Sequence, residues 1–188
     1  MKKAFLTALL TATVFSYSQE QNNQNKWLFG FGINVLNNNV LQNKEFFSLK
    51  DINFIPTISA LSLQRKFSNN LSLEGQIFLN QFQKENLHNG KSIDRSNGMA
   101  SINLNTLYTY DSHLVDVKWF DASVLLGLGA IWTDDTSNQT FNTGMVFDFW
   151  LSEKVALRLE TQGRFAFDNN KLANNHIIHA LSIIVCLE

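Results

Sequence analysis

The sequence has 188 residues, and 15 Lys and Arg stand against 16 Asp and Glu, which gives a formal net charge of −1. This balance excludes a polybasic surface for nucleic acid and an acidic tail. Hydrophobic residues make up 45% of the chain and include 16 Phe, which excludes intrinsic disorder, and the length indicates one domain.

The N-terminus has the pattern of a secretory signal peptide. Lys2 and Lys3 precede an apolar run over residues 4–15, and small residues at Ser16 and Ser18 mark a cleavage position before Gln19. The run is too short for a transmembrane helix, which needs about 20 apolar residues. We therefore predict a signal peptide at residues 1–18 and a polar periplasmic leader at residues 19–26.

Eight segments of the remaining chain alternate apolar and polar residues with the period of two that is typical of β-strands. Their connections alternate between long and short, as outer-membrane barrels do with external loops and periplasmic turns. The pattern predicts an all-β fold, an eight-stranded antiparallel up-and-down transmembrane β-barrel over residues 27–188. The predicted strands are residues 27–35, 54–67, 71–82, 99–110, 119–132, 141–151, 155–167 and 176–187.

The charged residues indicate which face of each strand points into the barrel. In residues 155–167, Leu157 and Leu159 share one face and Arg158 and Glu160 share the other. Because an eight-stranded barrel is just wide enough for side chains to fill, opposite charges can pack inside it as pairs. We predict an interior charge network of Glu74, Asp121, Asp148, Arg158, Glu160 and Arg164.

The opposite, apolar faces are expected to contact lipid, with aromatic girdles at both rims. The predicted girdles are Trp27, Phe67, Tyr110 and Phe120 at one rim, and Phe82, Trp132, Phe141 and Phe167 at the other. The alternative is a secreted lipocalin-like or sandwich protein whose apolar face is its core.

A family resemblance rests on the second half of the chain. It comprises Trp119-Phe120-Asp121, residues 126–130 and 144–150 with the turn at 152–154, and continues through residues 157–167 and 175–182. These stretches resemble the N-terminal outer-membrane barrel of OmpA-family proteins of flavobacteria and other Bacteroidetes. Such barrels usually precede a peptidoglycan-binding domain. Because the sequence stops at Glu188, the residues of that domain have no counterparts here, and the resemblance implies the barrel without the periplasmic OmpA-like domain.

We found no catalytic or metal-binding pattern in the sequence. His176 and His179 are three apart on a predicted strand, so they point to opposite faces and cannot chelate one metal ion. Asp134 and Asp135 fit a solvated turn better than a cation site. Small barrels that hydrolyse lipid use a His-x-Ser pair, and the sequence has none. We therefore expect no enzyme activity and no cofactor.

These features predict an integral outer-membrane protein of a Gram-negative bacterium with a structural or surface-interaction role. A narrow pore for ions or small solutes is the first alternative, and a membrane-embedded lipid hydrolase is the second. The expected partners are outer-membrane lipid, lipopolysaccharide and, during insertion, the barrel assembly machinery, with no nucleic acid. The sequence does not identify a partner for the external loops.

Overall fold

The computed structural model describes residues 26–38, 51–88, 90–110, 119–169 and 171–187. The predicted signal peptide at 1–18 and the leader up to residue 25 lie outside the described residues. The described part contains no helix that is long and apolar enough to cross a membrane. It contains nine strands: β1 (Trp27–Asn37), β2 (Ile52–Phe54), β3 (Ala60–Lys66), β4 (Leu71–Phe82), β5 (Asn97–Tyr110), β6 (Phe120–Thr133), β7 (Ser137–Trp150), β8 (Val155–Ala166) and β9 (His176–Leu187).

The strands form one closed antiparallel sheet. From β3 to β9 each strand pairs with the next along the chain, and β1 pairs with β9 over residues 27–37 and 177–187, which closes the ring. β1 also pairs with both β2 and β3, so these two strands are parts of a single barrel strand. The ring therefore has eight strand positions, and the predicted eight-stranded antiparallel barrel is confirmed.

The second barrel strand is interrupted around Pro56, where the sequence predicts an unbroken strand over residues 54–67. Pro56 is the only proline of the chain, and it has no backbone N–H to contribute to a β-ladder. The backbone turns sharply here, because the N–H of Thr57 donates to the carbonyl of Ile55 at 2.9 Å. Pairing with β1 resumes where the N–H of Ser59 donates to the carbonyl of Gly32 at 2.8 Å.

Asn34 of β1 holds the interrupted strand in place. Its backbone N–H donates to Ser59 Oγ at 3.0 Å, and its Nδ2 donates to the carbonyls of Ser59 and Leu79 at 2.8 and 2.9 Å. Its Oδ1 accepts a hydrogen bond of 2.7 Å from Asn80. The side chain therefore supplies a donor to the Leu79 carbonyl, since the N–H of Ser59 opposite it bonds to Gly32 instead.

We expect Asn34→Ala to lower the free energy of unfolding by about 1–3 kcal/mol, because it leaves the Leu79 carbonyl without this donor. Urea titration of the protein in lipid vesicles measures this change. The control is Asn169→Ala, since Asn169 is exposed on a loop and its loss should have little effect. Equal stability of the two variants would contradict the role given to Asn34.

β7 begins four residues earlier than the sequence predicts, so only three residues, Asp134 to Thr136, join it to β6. The turn is closed by the N–H of Thr133, which donates to the carbonyl of Thr136 at 2.7 Å. The first residues of β7 lack the apolar alternation of a predicted strand because its inward positions are polar: Asn138, Thr140 and Asn142. Their outward neighbours include Ser137 and Gln139, so the apolar alternation begins only at Phe141.

The barrel is polar inside and apolar outside. On β5, Leu104 is 57% exposed whereas the next residue, Asn105, is fully buried. Elsewhere in the barrel, the apolar Leu128 is exposed on the outside, whereas the charged Arg158 and Arg164 are buried inside. A lipocalin-like or sandwich protein has the reverse arrangement, so the structure contradicts that alternative.

Apolar side chains fill the interior toward its two ends. At the end with the short turns, Leu28, Ala156 and Ile184 form one cluster. A larger cluster lies beneath the longer connections and contains Leu36, Ala60, Phe78, Phe82, Met99, Ile131, Ala173, Ile178 and Ala180.

Phe82 belongs to this interior cluster, and its predicted place in an outer aromatic girdle is wrong. It is fully buried and lies on the same face of β4 as Glu74. Because residues two apart on a strand share a face, Phe82 must point inward if Glu74 does. The other three aromatics predicted at this rim, Trp132, Phe141 and Phe167, are exposed on the outside.

Candidate functional site

Arg158 is the centre of an ion cluster that crosses the barrel interior. Its Nε and Nη2 donate to the two carboxylate oxygens of Asp148 at 2.7 and 2.8 Å. Its Nη1 donates to Glu74, and Nη2 also donates to Gln64 Oε1 at 2.7 Å. Arg158 is only 1% exposed, so the cluster is a buried ion network with a bidentate pair at its centre.

The strand register explains why these four residues meet. Asp148 and Arg158 are direct partners across β7 and β8, and Gln64 and Glu74 are direct partners across β3 and β4. Since β4 and β8 are four positions apart in a ring of eight, they lie on opposite walls. Arg158 therefore connects two walls of the barrel.

A second layer of the network is built from amides around Glu160. Gln76 Nε2 donates to both carboxylate oxygens of Glu160 at 2.9 Å and to Glu74 at 2.7 Å. Gln162 also donates to Glu160, and it donates to Gln76 Oε1 at 2.7 Å. The direct partners of Glu160 are thus glutamine amides rather than an arginine, although Gln76 links it to the Arg158 cluster through Glu74.

Arg164 lies in a third layer and is held by neutral groups. Its Nη1 donates to Ser101 Oγ at 2.9 Å, and its Nε and Nη2 donate to Gln162 Oε1 at 3.3 and 3.2 Å. Its guanidinium carbon lies 4.9 Å from the ring centre of Phe78. No carboxylate in the described ranges is within ion-pair distance of it.

Gly129 of β6 makes room for the asparagines of this layer. A Cβ atom there would meet Asn103 Oδ1 and would lie 2.8 Å from Thr140 Oγ1 and 3.1 Å from Asn142 Nδ2. Asn142 uses that space to donate to Asn103 at 3.2 Å and to Asn105 at 3.3 Å. Gly129 therefore lies beside interior amides.

Asp121, which the sequence predicts in the charge network, lies apart from it. It accepts a hydrogen bond of 2.8 Å from Trp150 Nε1 and lies 3.8 Å from Lys66 Nζ. Register places Asp121 directly beside Asp148. Because two carboxylates repel each other, the Asp121 side chain contacts Lys66 and Trp150 instead of joining the Arg158 cluster. Asp148 is paired with Arg158, whereas Asp121 is paired at the rim.

This rim contains an open pocket of about 530 Å³. Asp121 and Lys66 lie in its wall, and Lys66 Nζ is 5.6 Å from the ring centre of Trp150. Cys186 also lines the pocket and packs against the Leu28 cluster.

At the opposite end, loop contacts close the barrel over Phe82. The ring of His88 packs edge-on against Phe82 at 5.3 Å, and its Nε2 donates to the carbonyl of Gln83 at 2.7 Å. Burial lowers the pKa of His88 below its usual value, and the bond to Gln83 opposes that shift. Burial therefore favours the neutral form of His88, which is compatible with its apolar neighbour Phe82.

Asp134 and Asp135 bind the neighbouring loop. Asp134 accepts a hydrogen bond of 3.0 Å from the N–H of Gly98, and Asp135 pairs with Arg95 at 2.6 Å. Both carboxylates lie in the turn between β6 and β7 and therefore already have protein partners, Gly98 and Arg95. Within the described ranges, no group of three or more His, Cys, Asp or Glu side chains could hold a metal ion.

The two histidines of β9 lie on opposite faces, as the sequence predicts. His176 is buried inside, and its Nδ1 is 2.6 Å from the carbonyl of Asn174. His179 is half-buried on the outer face, and its Nδ1 is 3.0 Å from Thr161 Oγ1.

The comparisons with known proteins identify the architecture. No protein-family model and no curated protein matches the chain. Outer membrane protein OprG from Pseudomonas aeruginosa is similar with a TM-score of 0.58 at 9% identity, covering 88% of this chain and 97% of that one. The chain has the fold of an outer-membrane β-barrel.

Two further solved structures agree with this fold. The N-terminal β-barrel domain of OprF from Pseudomonas aeruginosa has a TM-score of 0.51 at 9% identity, covering 87% of this chain and 98% of that one. The Yersinia pestis outer membrane protein Ail in a phospholipid nanodisc has a TM-score of 0.51 at 12% identity, covering 87% and 100%. At such identities the likeness shows the fold alone, and the flavobacterial OmpA-family assignment stays a prediction.

Proposed function

We propose that this chain is an integral protein of the outer membrane of a Gram-negative bacterium, where a filled barrel holds its loops at the cell surface. The observation that carries the proposal is the reversed polarity of the barrel. Ile102, Leu104, Leu126 and Leu128 are more than half exposed on its outer wall. Exposed apolar surface of this extent is stable in lipid and costly in water.

The connections give the barrel its orientation. The short turns after β3 and β7 lie at the same end as Lys26 and Leu187, the first and last described residues. Outer-membrane barrels have short turns on the periplasmic side. The end that carries residues 83–96 and 167–175 therefore faces outward in this proposal, although the turn from Asp134 to Thr136 at the same end is also short.

Aromatic residues on the outer wall support a membrane boundary at the short-turn end. Trp119 stacks on Phe149 at 6.3 Å between ring centres, and Phe120 stacks on Phe147 at 6.2 Å. Such aromatic girdles mark the interface between lipid and water in barrels of this class.

The contents of the barrel favour a structural role over the pore alternative. The Arg158 cluster connects opposite walls, and the apolar cluster around Phe82 lies between it and the outer end. An ion that crossed the barrel would have to displace both layers.

We therefore expect small or no steady currents when the purified full chain is inserted into planar bilayers. Insertion is verified in the same preparation by the change in gel mobility between unheated and heated samples. A stable, large open channel from the wild-type protein would contradict the filled barrel and favour the pore.

The lipid hydrolase alternative has little support in the structure. Among the described residues, the contact that comes nearest to a nucleophile and base is Thr161 Oγ1 with His179 Nδ1 at 3.0 Å. The direct strand partners of Thr161 include Met145, which is exposed on the outer wall. In the proposed membrane this contact faces hydrocarbon, which excludes the water that hydrolysis consumes.

A further inference from the structure

A guanidinium group lies between two aromatic rings at the short-turn rim of the barrel. Arg65, near the end of β3, shares the outer face with Leu61 and Leu63. Its guanidinium carbon is 5.3 Å from the ring centre of Trp27 and 5.6 Å from that of Phe67. These distances are those of cation–π contacts.

The strand register positions this aromatic clamp, which consists of Trp27, Arg65 and Phe67. Trp27 and Arg65 are direct partners across β1 and β3, so their side chains stand side by side on the outer wall. Phe67 follows on the same face and begins the short turn, where its N–H donates to the carbonyl of Leu71 at 2.9 Å. The clamp is therefore built on rigid backbone at the boundary of the proposed membrane.

Arg65 has no anionic partner among the residues that the structure describes. No described carboxylate lies within ion-pair distance of it. Its Nε is buried and meets no hydrogen-bond acceptor. The interior arginine Arg158, by contrast, has two carboxylates. Since Nε is covered, the two terminal nitrogens are the donors available to a ligand.

We propose that the aromatic clamp binds the phosphodiester of a membrane phospholipid at the periplasmic rim. A guanidinium offers paired N–H donors whose spacing matches two phosphate oxygens. Trp27 and Leu63 are exposed on the outer wall beside Arg65 and can contact the acyl chains.

This inference rests on the proposed function, because only a membrane-inserted barrel brings the clamp to the level of lipid headgroups. Lys66, the neighbour of Arg65, does not compete for the same ligand. It points to the interior rim, where it lies near Asp121 and Trp150. The residues of the aromatic clamp therefore lie on the outer surface, and Lys66 is not one of them.

The test measures the dissociation constant of the first bound lipid by native mass spectrometry. The folded full chain in dodecyl maltoside, a detergent without phosphate, is titrated with phosphatidylglycerol. Arg65→Gln is expected to weaken binding about tenfold, the order for losing one charge-assisted hydrogen bond. Arg65→Lys keeps the charge without the paired donors, so its dissociation constant should lie between those of the wild type and Arg65→Gln. The control is Arg95→Gln, because Arg95 is already paired with Asp135 on a loop at the other end, and it should bind like the wild type.

Two other probes separate the sources of binding. Diacylglycerol with the same acyl chains lacks the phosphate and should bind weakly to the wild type. If diacylglycerol bound as tightly as phosphatidylglycerol, the proposal would be overturned. Inorganic phosphate should not displace the lipid, and displacement at similar concentrations would indicate a free-anion site instead.

The outcomes also separate this inference from the proposed function. A chain recovered as a soluble periplasmic protein would contradict the proposed function. An Arg65→Gln variant that inserts, shows the gel mobility of a folded barrel and binds phosphatidylglycerol like the wild type would overturn the clamp alone.

Discussion

Replacing Leu159 by Arg is expected to lower the free energy of unfolding of the barrel by about 2–4 kcal/mol, the cost of a cation on the lipid face at mid-membrane depth. Leu159 lies within β8, is 43% exposed on the outer wall, and has Phe147 and Leu181 as its direct strand partners. In lipid the new guanidinium would have to thin the bilayer or bend toward an interface. Unfolding titrations in lipid vesicles measure the change.

Leu151→Arg is the matched control, because it makes the same substitution outside the strands. Leu151 is 73% exposed in the turn after β7, where water can reach an arginine. We expect this variant to differ from the wild type by less than about 0.5 kcal/mol. If Leu159→Arg were as harmless, Leu159 would not face lipid, and membrane insertion would have to be reconsidered.

The sequence predicts the strands and their faces well because both depend on a local pattern. The bounds of β4 and β9 agree with the prediction at both ends. The alternation in residues 155–167 correctly separates the interior Arg158 and Glu160 from the outer Leu159. A period of two is a property of the backbone, and it requires no knowledge of which strands are neighbours.

The partners of the interior charges depend on the closed ring, so the sequence alone does not supply them. Arg158 meets Glu74 because β4 and β8 lie on opposite walls, and 84 residues separate the two in the chain. Asp121 has the correct parity but lies in a pair with Lys66 instead. Parity identifies the residues that point inward, and only register and ring order identify their contacts.

The prediction also omitted the neutral part of the network. Gln64, Gln76, Asn105, Asn142 and Gln162 are all buried inside. Gln76 donates to both Glu74 and Glu160, and Gln162 contacts both Glu160 and Arg164. A signal for them was present, because each lies at an inward position of its strand. A prediction that rests on charged residues alone omits uncharged amides, although an amide both donates and accepts and can therefore bridge a carboxylate and an arginine.

Arg158→Met is expected to lower the free energy of unfolding by about 3–5 kcal/mol, the cost of breaking a buried ion network by removing one partner. The substitution keeps a long apolar side chain but leaves Glu74 and Asp148 without their shared cation in the lumen. Gln64 loses a donor as well. Arg95→Met is the matched control, because the Arg95 and Asp135 side chains are 69% and 54% exposed, and such surface pairs contribute about 1 kcal/mol or less.

A second-site experiment tests whether the orphaned charges cause the loss. Combining Arg158→Met with Glu74→Gln and Asp148→Asn removes both carboxylate charges, so we expect it to recover most of the stability measured by urea titration. If the triple variant were no more stable than Arg158→Met, the loss would come from packing rather than from charge. If Arg158→Met were instead as stable as Arg95→Met, water would have to solvate Glu74 and Asp148 inside the barrel. A lumen that admits this water could also admit ions, and the same variant should then conduct in planar bilayers.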